Sequence, residues 1–350
     1  MAYDSVSGIN IAGICCCVPD DCRKIADING KTDAELEQFI KTTGIEQAYR
    51  SDILHTTTSD LCLAAATRLF EESQIERNSI NAIILVTQSP DYIQPATACV
   101  LQYRLGLSND CIAYDVNLGC SGYVYGLHLA ALYLQRNNIN KVLLLAGESC
   151  ATQKGMVIED EPKLWGDAGS ATVLEKSDNN DPFEFLLKTD GSGFRHLNIR
   201  YGGFRHGFED DISYHMSGAD VFAFTLREIP KAFKDFYSYY NSSQDDYDVF
   251  ILHQANRMIV ENIARKLKVP MSKVPISLDL YGNTSSTSIP LGICDYFNRH
   301  CTDINNETKM IVSGYGVGLS WGVASFNING NVCLPVISTK SNWDDGIDYQ

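Results

Sequence analysis

The feature that most constrains this chain is a repeated order of pieces. Short apolar runs bounded by turn residues recur at Asn81-Ala-Ile-Ile-Leu-Val-Thr87, Lys141-Val-Leu-Leu-Leu-Ala-Gly147, Tyr247-Asp-Val-Phe-Ile-Leu-His253 and Lys309-Met-Ile-Val-Ser-Gly314. They neither alternate nor reach helical length, so they predict strands buried on both faces. Helical patterns lie between them at Thr57–Ser73, Ser121–Gln135, Ala219–Tyr240, Asn256–Leu267 and Ser288–His300, which argues for α/β layers. In the first half, the strand at 82–87 precedes a turn and helix. Ala113–Cys120 then opens the Ser121 helix, followed by the 141–147 strand and a Gly-rich strand at Trp165–Leu174. The second half offers 248–253, then Pro275–Asn283 opening a Thr284 helix, then 309–314 and Gly316–Phe326. The displacement of about 165 residues is too long for a solenoid and points to duplicated halves.

A chain of 350 residues with 45% hydrophobic content can fold on core burial alone. The most polar connection, Glu175–Pro182, divides it into halves 1–175 and 176–350. Ser192–Asp211, rich in glycine, reads as an irregular ordered loop region, and Ser338–Gln350 as a peripheral polar tail. The net charge of −15 argues against nucleic acid as a partner. No apolar run reaches the roughly 18 residues of a membrane span, and the start lacks a signal-peptide pattern. The expectation is a cytoplasmic chain with reduced thiols. Cys15-Cys16-Cys17 and Cys22 lack a partner pair at zinc-finger spacing, so they read as a buried small-residue strand and no metal is expected.

Cys120, His253 and Asn283 fall at comparable places, each following a predicted buried strand and opening a helix. Helix N-termini direct partial positive charge at such junctions. Gly119 and Ser121-Gly122 allow a tight turn around Cys120, where a helix N-terminus would lower the thiol pKa and favour a nucleophile. Each residue also has a plainer role open to it: a packed free cysteine, a satisfied buried histidine, a helix-capping asparagine. Their matched placement in a duplicated frame raises all three together.

These residues carry a resemblance. Asp115-Val-Asn-Leu-Gly-Cys-Ser-Gly-Tyr-Val-Tyr-Gly126, His253-Gln-Ala-Asn256, Tyr281-Gly-Asn-Thr-Ser-Ser-Thr-Ser-Ile-Pro290 and Gly314-Tyr-Gly-Val-Gly-Leu-Ser-Trp-Gly322 resemble motifs of the β-ketoacyl-[acyl-carrier-protein] synthase III family. The likeness runs in order from about Ser7 to Asn327, with Thr43-Gly-Ile45, Gly166-Asp167 and Met216–Phe222 as further landmarks. It implies an α/β thiolase fold: two duplicated βαβαβαββ halves in a five-layer αβαβα sandwich, normally a homodimer.

The resemblance further implies an acyltransferase of fatty acid biosynthesis with Cys120, His253 and Asn283 as its catalytic triad. Cys120 would take an acyl group from acyl-CoA, and malonyl-acyl-carrier protein would then condense with loss of CO₂. Backbone N–H groups of Cys120 and Val317 would form the oxyanion hole. Lys154, Gly155, Gly218, Phe222, Ala255 and Asn256 would line the CoA or pantetheine path. CoA and the carrier phosphopantetheine act as substrates, so no resident cofactor is implied. Between His253 and Lys273, Arg257, Arg265, Lys266, Lys268 and Lys273 face Glu261 alone. With Gln254, Arg257, Arg265 and Lys266 would dock an acidic carrier protein, unless this is only a solvated helix face.

Three positions depart from the family pattern. Gln38 and Thr42 stand where family members place a Trp and an Arg that clamp the CoA adenine, and Gln94 replaces the aromatic residue lent to the partner's acyl pocket. About five extra residues follow Lys154-Gly155 before Gly166. These leave open a specialised condensing enzyme or acyltransferase of a secondary or glycan pathway, loaded from a carrier protein. A non-catalytic binding subunit would need no reactive thiol, and a protease could use the same Cys/His/Asn set.

Overall fold

The computed structural model describes residues 2–28, 31–51, 56–149, 164–199, 203–205, 207, 214–301 and 303–346. Its N-terminal segment forms β1 (Ala2–Val6), β2 (Ile9–Pro19), β3 (Cys22–Lys24), helix α1 (Asp33–Thr43) and β4 (Gln47–Tyr49), the last pairing with β3. Then come α2 (Thr58–Glu72), β5 (Ala82–Val86), α3 (Thr97–Arg104), β6 (Ile112–Val116), α4 (Gly122–Leu134), β7 (Lys141–Glu148) and β8 (Ala168–Lys176). Strand β5 lies parallel to both β6 and β7, and β8 runs antiparallel to β7 and β2.

The second half carries β9 (Phe183–Thr189), a small ribbon of β10 (Leu197–Ile199) and β11 (Tyr214–Met216), α5 (Gly218–Tyr240), β12 (Val249–Leu252) and α6 (Arg257–Leu267). It continues through α7 (Leu278–Tyr281), α8 (Ser288–Arg299), β13 (Glu307–Gly316), β14 (Ser320–Asn329) and β15 (Ile337–Thr339). Its sheet repeats the first: β12 parallel to β13, which is antiparallel to β14, which is antiparallel to β9. The sheets exchange strands across the 175/176 boundary. β1 pairs with β9 in the second sheet, and β15 pairs with β2 in the first.

Hydrophobicity sets the layers. Helix α4, Gly-Tyr-Val-Tyr-Gly-Leu-His-Leu-Ala-Ala-Leu-Tyr-Leu, is apolar on nearly every side, as a helix between two sheets must be. Tyr123, Val124, Leu127 and Ala131 of α4 join Ile289, Ile293 and Phe297 of α8 in one core with Ile84, Leu144, Ile251 and Val312 of the strands. Helices α2 and α3 cover the outer face of the first sheet, and α5 and α6 that of the second. The result is the five-layer αβαβα sandwich of the thiolase fold. Cys15, Cys16 and Cys17 are buried in β2, whereas Cys22 is exposed on β3, and the eleven described cysteines are free.

The expected helices lie within a residue or two of their predicted bounds, but three junctions differ. The expected Trp165–Leu174 strand starts at Ala168, and Val317–Leu319 forms the connection from β13 to β14. Pro275–Leu280 is not a strand: Pro275 lacks a ladder donor, and the chain coils into α7, where the Ser277 carbonyl accepts the N–H groups of Leu280 and Tyr281 at 3.2 Å each. The tail is anchored more firmly than a peripheral segment: β15 extends the first sheet, and Trp343 lies 4.5 Å under the Arg104 guanidinium.

Candidate active site

Cys120 follows β6 through a tight turn in which the Gly122 N–H donates to the Gly119 carbonyl at 2.7 Å, and α4 begins two residues later. The end of β13 lies directly on it. A Cβ on Gly316 would stand 2.8 Å from Cys120 Cβ and 3.2 Å from Sγ, so only glycine lets the strand come this close. Cys120 is 5% exposed, and burial pushes its thiol up to about 12, with the Glu148 carboxylate adding to the rise and the Ser285 hydroxyl opposing it. Burial acts against the thiolate that a helix N-terminus would favour, and it points to a resting neutral thiol that needs a proton acceptor.

His253 lies just past β12 and does not itself open a helix; Gln254–Asn256 intervene, with the Asn256 side chain accepting the Ile259 N–H at 2.8 Å as the cap of α6. Its N–H donates to the Ser313 carbonyl at 2.8 Å, its carbonyl accepts the Tyr315 hydroxyl at 2.9 Å, and its ring meets Tyr315 edge-on at 5.3 Å. Burial lowers the imidazole pKa to about 3, which keeps it neutral at physiological pH. Nδ1 sits 2.6 Å from the Ser288 hydroxyl, while Nε2 has no hydrogen bond among the described residues. Because a hydroxyl can donate or accept, Ser288 lets Nε2 serve either as acceptor or as donor.

Asn283 is tied across the halves. Its N–H donates to the Leu164 carbonyl at 2.7 Å, and its carbonyl accepts the Gly166 N–H at 3.0 Å. Its side-chain Oδ1 accepts the Ser285 N–H at 3.0 Å, so the amide NH₂ is the part left to donate. The Ser285 hydroxyl is 3.6 Å from Cys120 Sγ. Ser285 therefore joins Asn283 to Cys120, while β13 joins Cys120, through Gly316, to His253, through Ser313 and Tyr315. The three predicted residues converge on one buried spot.

Two participants carry little sequence signal. Glu148 ends an apolar strand and stands outside any periodic pattern, yet it is fully buried. Its carboxylate accepts the Gln88 N–H at 3.1 and 3.2 Å and the Ser89 hydroxyl at 2.9 Å, and burial raises its pKa to about 7. Ser285 lies inside the Tyr281–Pro290 motif, where the run of small hydroxyl residues 284–288 beside Asn283 is the one available sign of it.

The remaining candidates divide. Val317 is half-buried in the β13–β14 connection, its carbonyl accepting the Ser320 hydroxyl at 2.7 Å. Gly218 opens α5, Phe222 is packed against the α5–α6 core, and Ala255 and Asn256 are half-buried beside His253. Lys154 and Gly155 lie outside the described residues. Gln254 does not belong to a docking surface: it is 1% exposed, and its amide donates to the Leu252 carbonyl at 2.8 Å and accepts the Ser277 N–H at 3.3 Å. Arg257, Arg265 and Lys266 are exposed on α6, but Arg257 pairs with Glu261 at 3.1 Å and Lys266 caps the Leu226 carbonyl at 2.7 Å. Among the described residues, no cluster of three or more His, Cys, Asp or Glu could hold a metal, and no helix is long and apolar enough to cross a membrane.

Comparison with known proteins agrees with this geometry. Residues 114–191 match the family model described as 3-oxoacyl-[acyl-carrier-protein (ACP)] synthase III, and residues 240–328 match the model of its C-terminal part. A Campylobacter jejuni protein provisionally named 3-oxoacyl-[acyl-carrier-protein] synthase 3 is 33% identical over 340 residues, covering 91% of this chain and 93% of that one. The β-ketoacyl-[acyl-carrier-protein] synthase III of Lactobacillus helveticus is 33% identical over 298 residues, covering 83% and 89%. The crystal structure of a 3-oxoacyl-(acyl-carrier protein) synthase from Burkholderia xenovorans superposes with a TM-score of 0.88 at 31% identity, over 97% of this chain and 99% of that one. The chain belongs to the 3-oxoacyl-[acyl-carrier-protein] synthase III family of acyl-transferring condensing enzymes.

Proposed function

We propose that the chain loads an acyl group from acyl-CoA onto Cys120 and condenses it with malonyl-acyl-carrier protein, as a step of fatty acid biosynthesis. The observation that carries this reading is the convergence of a buried thiol, a neutral imidazole and an amide whose oxygen is already engaged. In the first step His253 Nε2 takes the Cys120 proton as sulfur attacks the thioester carbonyl. The proton then passes to the departing CoA sulfur. In the second step the malonyl carboxylate leaves as CO₂, and its bonding pair moves onto the thioester oxygen. His253 Nε2, now a donor, and the Asn283 amide hold that enolate oxygen.

The enolate carbon attacks the acyl-enzyme, with the oxyanion received by the backbone N–H groups of Cys120 and Val317. Collapse expels the Cys120 thiolate, which regains a proton, and releases β-ketoacyl-carrier protein. Two neutral donors suit an oxygen on which negative charge grows only in the transition state. The reading includes a cytoplasmic homodimer. The support for the homodimer is the open edge strand β6, where Ile112 is 41% exposed, together with the neighbouring helix α3, where Tyr103 is 77% exposed.

A second reading changes only the donor. On exposed α1, Gln38 Nε2 donates to the Thr42 hydroxyl at 3.1 Å, so the positions of the family's adenine clamp hold two small polar groups bonded to each other. That favours a donor recognised by its pantetheine arm and carrier protein. Intact-mass measurement with a panel of acyl-CoA and acyl-carrier proteins decides between them, since the adduct names the donor. Cys120→Ala is expected to lose the adduct entirely, and Asn283→Ala to keep it while condensation drops on the order of 10²–10³-fold. An unimpaired Cys120→Ala enzyme would refute both readings.

A further inference from the structure

Ser285 belongs to none of the steps above, yet it touches two of the residues that perform them. It holds φ at 49°, in the left-handed region that serine adopts at a cost. In that conformation its N–H donates to Asn283 Oδ1 at 3.0 Å while its hydroxyl lies 3.6 Å from Cys120 Sγ. The residue is 4% exposed, and its hydroxyl is walled on one side by the turn before the cysteine, where a Cβ on Gly119 would come within 3.2 Å of Oγ. Among the described residues, this is the only side-chain hydrogen bond to the sulfur.

We infer that Ser285 is a positioning residue that prepares both half-reactions: its hydroxyl donates to the Cys120 sulfur as the thiol loses its proton, and its backbone N–H turns the Asn283 amide so that NH₂ faces the substrate. The inference rests on the reading of Cys120 as nucleophile. The other groups around the sulfur cannot take the hydroxyl's place. Glu148 at the end of β7 opposes a thiolate when ionised, and the Tyr315 phenol on β13, pushed up by burial and by Cys120, stays neutral with its hydrogen committed to the His253 carbonyl. His253, whose ring meets Tyr315 edge-on, is neutral and can accept the proton but offers the sulfur no positive charge.

Two variants separate the hydroxyl from the backbone. Ser285→Ala removes the hydroxyl and keeps the strained φ, whereas Ser285→Gly removes it and relieves the strain. Alkylation of Cys120 by iodoacetamide, in which the thiolate displaces iodide, is followed from pH 7 to 10 by the mass of the proteolytic peptide that carries Cys120, which separates it from exposed thiols such as Cys22 and Cys99, beside the thermal midpoint of each variant. Losing one hydrogen bond to the thiolate is expected to slow alkylation about three- to tenfold in both variants at any pH below the thiol midpoint. Ser285→Gly should meanwhile be the more heat-stable of the two. Unchanged alkylation in both would overturn the inference. Slowing in only one would do so as well, because it would assign the effect to the backbone. Alkylation needs no acyl donor, so this outcome stands apart from the Cys120→Ala test of the nucleophile itself.

Discussion

The junctions that carry Cys120 and Asn283 occupy matched places in the two halves but are built differently. The first has a strand, β6, running into a tight turn and the long buried helix α4. Among the described residues the second has no counterpart of β6. Asn283 follows the single turn of α7 and is suspended from the first half, by the Leu164 carbonyl and the Gly166 N–H. A nucleophile gains from a rigid strand-to-helix turn that aims its sulfur. A donor must instead be set relative to that sulfur, and ties to the first half do this more directly than an edge strand of its own sheet.

Glycine substitutions should break this comparison most strongly. At Gly166 a Cβ would stand 2.0 Å from the Tyr281 carbonyl oxygen, a backbone atom that cannot swing aside. Gly166→Ala is therefore expected to displace Asn283, cutting condensation at least tenfold while the Cys120 adduct still forms. Gly316→Ala crowds the sulfur instead and should suppress the adduct first. Overpacking of this kind costs about 1–3 kcal/mol, so thermal midpoints measured alongside separate misplacement from unfolding. Equal loss of both half-reactions in both variants would dissolve the distinction between the junctions.

Acid sharpens it further, because the two halves bury groups with opposite responses. Glu148 has a folded pKa raised from about 4.5 to about 7, so the native state binds the extra proton and stability falls as pH rises through that window. His253 has a folded pKa lowered from 6.5 to about 3, so its stability contribution is present above 6.5 and is lost as pH falls toward 3. Between about 4.5 and 6.5 the two oppose each other. Melting curves should show Glu148→Gln losing stability steadily on acidification below pH 6.5, and His253→Gln gaining it between pH 7 and 4.5. Each effect is on the order of a few kcal/mol. Parallel wild-type and variant curves would contradict this assignment.

The smallest expected effect is at the surface of α6. Arg257→Glu should raise KM for a carrier-protein substrate a few-fold, more at low salt than at high, with kcat nearly unchanged. A salt-independent KM would place carrier docking elsewhere. Lys266 is a poorer probe, because its ammonium already holds the Leu226 carbonyl.

Much of the site was legible in the order of residues. The apolar runs and the Gly-rich turns follow from periodicity and spacing, and their recurrence exposed the duplicated frame that drew notice to Cys120, His253 and Asn283, while their grouping as a triad came from the family resemblance. Strand length was less legible: Val317–Leu319 and Trp165–Asp167 each set a glycine beside an apolar residue, as their neighbouring strands do, but carry the connections between elements. The basic stretch on α6 was visible as charge, yet side-chain reach decides its use. Lys273, like Lys266, spends its ammonium on a carbonyl, that of Tyr247 at 2.7 Å.

The sequence by itself determined the α/β layering, the two-part repeat, the central apolar helix and the identity of three chemically able side chains, because local hydrophobic pattern and turn chemistry are short-range properties. Only the tertiary structure decided their protonation and their partners. Burial makes Cys120 a thiol and His253 a neutral ring, and both depend on what other segments exclude from water. Ser285 reaches Cys120 across 165 residues of chain, and Ser288 reaches His253 across 35. Such contacts come from the packing of α4, α8 and β13 against one another, which composition at any one place does not encode.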